Sequence, residues 1–531
     1  MLNKVRKSIT PMLETLGEAT EYLFTLDPAA AEPMRENIAA FTDAISSAAD
    51  DPTVASLGKT LIEALPACHT PEGQAALRAS SDAFKAAIAA LPTTYKAVFL
   101  PYYDNTWDAL ESVYEAFAAD PMFETEIVII PIRRNTATGY VDVYDDYLTP
   151  MGIPNTHHSQ YSFEDDKPDV VFYTNPYDAV NLPRFQSHNI KPHAGLMVYI
   201  PYHLYRHEFL TPGQMKKKIE QYTELPGHDN CDIFAAQGES FYGRFKDVSR
   251  NGHKMVVLGN PKTDSLYKRK ETGDWPRHPQ WEKTISGKKV FLLNTHYSIF
   301  LKNDETSPEE YPVPYAVDAL FDSIEKNHEA ALIWRPHPQT FLLIDSINSR
   351  HTRLFRALLK RAERCDRVIL DRTPSVISAF MYSDAVISSM SSIIIESLFL
   401  NLPVFAFDMH PNESMITSDD VHILADYYKP EYDTVLEKAR NIDKDNPCLM
   451  DVVSHFGVDR HLNDGENIAE RVSAPRITQF VRDILSGAGG ESTPRDTYCA
   501  QLFAYDSGRC AGAISDAVKK RIMTASTHQA L

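Results

Sequence analysis

Apolar residues recur near every 3.6 positions from residue 1 to about 90, with breaks around Pro28, Asp51-Pro52 and Pro71, and this spacing predicts several helices. From Tyr95 the texture changes. Short β-rich runs alternate with amphipathic stretches: YKAVFLPYY, a helix near Trp107 to Ala119, TEIVIIPI, then strands at DVVFYT, GLMVYIPY, DIFAAQ and MVVLGN. A stretch rich in charge, Pro and Trp, residues 268 to 283, reads as a linker. The alternation restarts with KKVFLLNT (288–295), a helix at 313–326, AALIWRPHP (330–338), a helix at 349–363, RVILD (367–371), DAVISS (384–389), a helix at 391–400 and PVFAFD (403–408). After Ser486 a flexible GAGGESTPRDTY leads into one short helix with a basic last half.

Strands alternating with helices favour a parallel sheet covered on both faces, so the predicted fold class is α/β with two Rossmann-like lobes behind an all-helical region. The expected divisions are 1–92 helical, 93–275 a first lobe, 276–485 a second lobe and 486–531 a tail. Two doubly wound units joined by one linker are the layout of an enzyme that closes on a ligand at the strand carboxyl ends.

Composition narrows this picture. The chain has 531 residues and is 43% apolar, enough for several ordinary cores. Its formal charge of −19 argues against holding nucleic acid or anionic lipid by bulk electrostatics, so no nucleic-acid partner is expected. The greasiest run, Ile393 to Phe407, is broken by Glu396, Ser397, Asn401 and Pro403, which argues against a transmembrane segment. Glu14, Glu18 and Glu21 arrive before any long apolar core that a secretory signal would need. A cytoplasmic location is expected, with peripheral contact at the inner face of a membrane compatible with it. Six scattered cysteines without a C-x-x-C pair read as reduced structural thiols. The Ala-rich helical region reads as a packing or homo-oligomerisation element.

The most informative segment is SDAVISSMSSIIIESLFLNLPVFAFD, 383–408. An apolar strand runs into Ser388, Ser389, Ser391 and Ser392 and then into a helix. Free backbone N–H groups, the helix dipole and four small hydroxyls there form an anion cradle suited to a phosphate or diphosphate. Capping alone would need one or two serines. Glu396, on the first turns of that helix, is placed either to accept ligand hydroxyls or to serve as a half-buried structural carboxylate.

In IWRPHPQT, 333–340, two prolines stiffen the exit from a strand and hold Arg335 and His337 at its carboxyl edge. Arg offers a donor fork to phosphate oxygens, and His can protonate or neutralise a leaving group. LLNTHYS places Asn294, Thr295 and His296 at a strand end facing the cleft, and VLGNPKTDSL makes a tight turn at Asn260. GLMVYIPYHLYRHEF delivers His203, then Arg206 and His207, from the first block. A histidine from each lobe is what a transferase needs, one as base toward an acceptor hydroxyl and one assisting the departing phosphate. His193 competes with His203 for the base. No H-E-x-x-H, P-loop, G-x-G-x-x-G or G-x-S-x-G is found, so no protein-held cofactor or metal is expected, and Mg²⁺ has no support in the sequence.

The order of these motifs is similar to that of a known family. A strand-end His, G-x-P-x-x-D-x-L-like turn, Asn-Thr strand, R-x-H-P, double-serine turn and L-x-x-x-L-P-V-x-x-F-D, closed by DGENIAERV (464–472), resemble the CDP-glycerol glycerophosphotransferases of the teichoic-acid polymerase type. The likeness covers about Leu196 to Val472 and is strongest between Ala331 and Asp408. It implies a GT-B-like fold with the acceptor on the first lobe and the nucleotide-diphosphate donor, CDP-glycerol or a relative, on the second. It further implies transfer of glycerol phosphate to a polyol-phosphate or glycan hydroxyl, with His337 beside the donor phosphates and Ser391 and Ser392 cradling the diphosphate. The chain departs from the family in having IPYHLY where the family carries W-H-G-T. Two alternatives fit the same residues: a nucleotide-sugar glycosyltransferase or UDP-sugar 2-epimerase, and a non-catalytic scaffold or nucleotide-sensing protein.

Overall fold

A computed structural model describes residues 1–102, 104–136, 139–205, 212–301, 313–373, 375–389, 391–407, 474–487, 499–500, 502–505 and 508–529. Arg206, His207, the 464–472 motif and residues 488–498 fall outside the described residues.

The N-terminal region is four helices, α1 (Asn3–Leu23), α2 (Pro28–Ala49), α3 (Pro52–Ala64) and α4 (Pro71–Ala90). The prolines that break the sequence pattern are the first residues of α2, α3 and α4, where a missing N–H costs nothing. Each is preceded by a capping side chain: Asp27 accepts from Ala29 and Ala30, Asp51 from Thr53 and Val54, and Thr70 from Gly73. Leu16, Ile38, Ile45, Leu61, Leu77 and Phe84 close the bundle's own core.

The rest of the described chain is two parallel α/β units. The first has β1 (Tyr95–Leu100), β2 (Phe123–Ile129), a β3–β4 hairpin (Ile132–Thr136, Gly139–Val143), β5 (Thr156–His157), β6 (Val170–Tyr173), β7 (Leu196–Tyr199), β8 (Ile233–Ala236) and β9 (Met255–Val257). The second has β10 (Lys289–Thr295), β11 (Ala330–Pro336), β12 (Val368–Leu370), β13 (Ala385–Ser389) and β14 (Val404–Phe407). The sheet orders are β5-β2-β1-β6-β7-β8-β9 and β12-β11-β10-β13-β14. In each, the chain builds outward from a first strand, returns, and builds the other way, which is the Rossmann order with its switch point beside the first strand. This is the two-lobed, GT-B-like fold class.

Burial on both faces explains the near-continuous apolar strands. Phe99 and Phe172 stack at 4.6 Å in the first lobe, and Trp334 lies edge-on to Phe321 and Phe355 at 5.2 and 5.3 Å in the second. Two local expectations change. TEIVIIPI is not one strand: β2 ends at Ile129 and the hairpin begins at Ile132, because Pro131 has no N–H to give a ladder. The 268–283 stretch is no open linker: it holds the end of helix Pro261–Thr272 and most of helix Pro279–Ile285, and Trp275 and Trp281 pack on Tyr382 at 4.4 and 5.9 Å.

The last helix, Cys510–Gln529, returns to the first lobe. Its Ile514 and Val518 share a core with Val113 and Phe117, and the Asp264 carboxylate accepts from the N–H groups of Cys510 (3.1 Å) and Ala511 (2.8 Å). Gly259, at φ +79°, lets the backbone pass the Cys510 thiol, which a Cβ would meet at 2.4 Å. Among the described residues no helix is long and apolar enough to cross a membrane.

Candidate functional site

The carboxyl edges of the two sheets face each other across a cavity of about 390 Å³. Tyr102, Ile130 and Asp145 line it from the first lobe, and Arg335, Pro336 and Asp371 from the second.

Beside it the lobes meet at a buried charge cluster. Asn260 caps helix Pro261–Thr272 by accepting from Lys262 N, and its amide donates to the carbonyls of Pro201 (2.8 Å) and His203 (3.3 Å). One asparagine therefore fixes both the segment carrying His203 and the helix carrying Lys262. Lys262 Nζ crosses to the second lobe and donates to Glu396 Oε1 at 2.8 Å, with both side chains buried. Burial alone would lower the Lys262 ammonium, but Glu396 and Asp108 reverse this and hold it above its ordinary value. Asp108, in the turn Asp104–Ala109 after β1, is buried, and burial pushes its carboxyl up to about 7. Burial, with Lys262 and Lys218 nearby, pushes His203 down to about 4, so its imidazole is neutral at pH 7.

Among the described residues, four buried polar atoms in this region have no hydrogen-bond partner: Asp108 Oδ2, His203 Nδ1, Ser389 Oγ and Glu396 Oε2. Buried polar atoms are rarely left so, and a cluster of them at facing strand ends marks where a polar ligand would sit.

The serine turn is built differently from a cap. Ser391 is the N-cap of helix Ser392–Phe399, yet no side chain caps that helix. Ser388 Oγ instead donates to Ser389 O at 2.9 Å, lies 3.4 Å from Ser391 Oγ and accepts from Asn294 Nδ2 at 3.3 Å. Among the described residues the first N–H groups of the helix thus keep no side-chain acceptor, which leaves the positive end of its dipole to an anion.

Other expected residues fall into three groups. His337 and His296 come together, with ring centroids 5.5 Å apart and Tyr297 within 5.3 Å of His337; His337 Nδ1 accepts from Gln339 N at 3.2 Å. Arg335 lines the cavity but also pairs with fully buried Asp371 at 2.7 Å and donates to Thr373 Oγ1 at 3.2 Å, so its guanidinium is held rather than swinging. Two residues are placed elsewhere than expected. Thr295 is buried, accepting from Trp334 Nε1 at 3.2 Å, and His193 precedes β7 at the amino edge of its sheet, 3.8 Å from Glu164. A strand-flanking histidine points to a site only if it follows the strand, and His193 does not.

Lys262 and Asp108 escape a sequence reading. Lys262 follows an Asn-Pro helix start and Asp108 sits in an aromatic turn, and neither has a local signal of burial or charge pairing. Among the described residues no group of three His, Cys, Asp or Glu side chains is arranged around a metal position.

No protein-family model matches the sequence, and no curated protein matches it. Among solved structures the chain is similar to a putative UDP-N-acetylglucosamine 2-epimerase from Listeria monocytogenes, at 12% identity and TM-score 0.46, over 81% of this chain and 97% of that one. It is similar to S. aureus MnaA with UDP at 12% identity and TM-score 0.47, over 81% and 97%. A variant of the wall teichoic acid polymerase TagF gives 14% identity and TM-score 0.45, over 82% and 90%. These are likenesses of overall fold.

Proposed function

We propose that the chain is a transferase that binds a nucleotide-diphosphate donor between its lobes and passes a glycerol-phosphate or related polyol-phosphate group to a hydroxyl acceptor. The observation that carries this reading is the uncapped helix start at Ser391–Ser392 beside the unpartnered Ser389 Oγ, a ready seat for a diphosphate at the carboxyl edge of β13. The sequence resemblance supports CDP-glycerol or a close relative as the donor and a polyol-phosphate or glycan as the acceptor.

The acceptor oxygen attacks the phosphorus bearing the glycerol, the bond from that phosphorus to the bridging oxygen breaks, and CMP leaves with the electron pair. His203, neutral at pH 7, takes the acceptor proton; the anionic donor beside it raises its proton affinity. His337 and Arg335 stabilise charge developing on the phosphates, and the Ser389–Ser392 turn holds the diphosphate.

A second reading, nucleotide-sugar chemistry as in a glycosyltransferase or 2-epimerase, is favoured by one observation. Asp108 titrates near neutrality while its neighbour Glu396 is ion-paired, a division of two carboxyls suited to acid and base roles on a sugar.

Thermal-shift and calorimetric titrations with CDP-glycerol, CDP-ribitol, CTP, CMP, UDP-GlcNAc and UDP test both. Binding at a hundredfold excess over Kd stabilises by about 2.7 kcal/mol. Stabilisation by the CDP-polyols, lost in Ser392→Ala and His337→Ala, with CMP as the product, supports the transferase. A response to uridine compounds alone moves the assignment to the second reading.

A further inference from the structure

A second cavity, of about 610 Å³, lies at the opposite end of the first lobe from the interlobe site. It opens beside the amino ends of β1, β6, β7 and β8, between α1 and the last helix, so three separate parts of the chain wall it. Nothing in the proposed reaction uses it.

Two of its cations stand outside any ion pair. Lys7 from α1 and Arg521 from the last helix line it, and neither side chain makes a hydrogen bond or ion pair among the described residues. Lys254, also on the wall, donates to the carbonyls of Asp229 (2.6 Å) and His228 (3.3 Å) and acts electrostatically on the Asp229 carboxylate. Two carboxylates also line the cavity and hold strand starts, Asp232 in an ion pair and Asp169 through neutral donors. Asp169 accepts from Asn3 Nδ2 (2.6 Å) and Lys96 N (2.9 Å), and Asp232 accepts from Lys191 Nζ and Met197 N (2.8 Å). In a chain of net charge −19, two unpaired cations from opposite walls of one hollow favour an anionic occupant. Apolar surface from Tyr95, Leu196 and Ile522 completes the wall. Concave sites that combine apolar lining with a few converging polar groups, at about 300–1,000 Å³, are the common form of small-molecule sites.

We propose that this cavity binds a small organic anion, a phosphate, sulfonate or carboxylate on a flat apolar body, with Lys7 and Arg521 gripping the anion from the two ends of the chain. Occupancy would tie α1 to the last helix across the foot of the first lobe.

The test is a fluorescence titration of the full-length protein with 1-anilinonaphthalene-8-sulfonate, which carries both features, followed by displacement with phenyl phosphate and with inorganic phosphate. Expected are saturable binding at one site, displacement by phenyl phosphate well before inorganic phosphate, and an affinity weakened at least about tenfold in Lys7→Glu/Arg521→Glu, the worth of one or two charge-assisted contacts. Ser389→Ala, in the interlobe site, should leave dye binding unchanged. Both exchanged side chains are exposed, so the double variant should keep the wild-type melting temperature; if it does not, Lys7→Gln/Arg521→Gln is used in its place. Undiminished affinity in a folded variant, non-saturable binding, or loss of binding in Ser389→Ala would each overturn the proposal.

Discussion

Lys262 Nζ donates to Glu396 Oε1 across the lobe boundary at 2.8 Å, and both side chains are buried. The two residues are 134 positions apart, and the bond fixes the first lobe's last helix to the helix that begins at the serine turn. Removing one partner strands the other charge in a low-dielectric setting, so Glu396→Ala should lose about 3–5 kcal/mol of stability in urea unfolding. Lys262→Met/Glu396→Leu, which removes both charges, should recover most of that loss. Equal destabilisation of the single and double variants would show that the pair does not act as a unit.

Asp108 makes the fold's stability depend on pH in an unusual direction. Its folded-state value of about 7 lies above the ordinary 3.8, so between these pH values the folded chain holds a proton that the unfolded chain has lost. This contribution is present at low pH, falls away as pH rises through the window, and is flat above about 7. Asp108→Asn should abolish it and gain on the order of 2–4 kcal/mol at pH 8.

The histidines work in the opposite sense. Burial lowers His203 to about 4 and His228 to about 3, so the unfolded chain takes up protons first as pH falls below 6.5 and the folded state loses stability. In wild type this loss overlaps the Asp108 effect. In Asp108→Asn it should stand uncovered, as a melting temperature that drops steadily from pH 6.5 to 4.

Ser389→Ala separates a ligand contact from a structural one. The hydroxyl is buried without a partner, so its removal should change stability by no more than about 0.5 kcal/mol. If a donor diphosphate uses it, affinity for CDP-glycerol in calorimetry should fall about tenfold, the worth of one hydrogen bond to a charged group. A large stability loss with unchanged affinity would assign the serine to the fold instead.

Asp264→Ala should loosen the returning helix. Its carboxylate accepts both first N–H groups of Cys510–Gln529, and losing it leaves two buried donors unsatisfied at about 1–3 kcal/mol each. Hydrogen exchange in 510–529 should accelerate well before exchange in β1.

Periodicity alone determined much of this protein. The helical preface, the two runs of alternating strands and helices, and the positions of Ser388–Ser392 and Arg335-Pro336-His337 at strand ends all follow from side-chain spacing and from where proline and serine can stand, which are interactions within a few residues. Tertiary structure decided the rest. Asn260 and Thr295 look like cleft residues in the sequence but satisfy the carbonyls of Pro201 and His203 and the indole of Trp334. His193 stands at the amino edge of β7, while Lys262, with no local signature, pairs with Glu396 across the lobe boundary and Asp108 lies within electrostatic reach of both. The last helix finds its acceptor at Asp264, some 246 residues earlier. Such pairings depend on which surfaces two lobes bring within hydrogen-bond reach and on the loss of water there, and neither quantity is encoded in the spacing of neighbouring side chains.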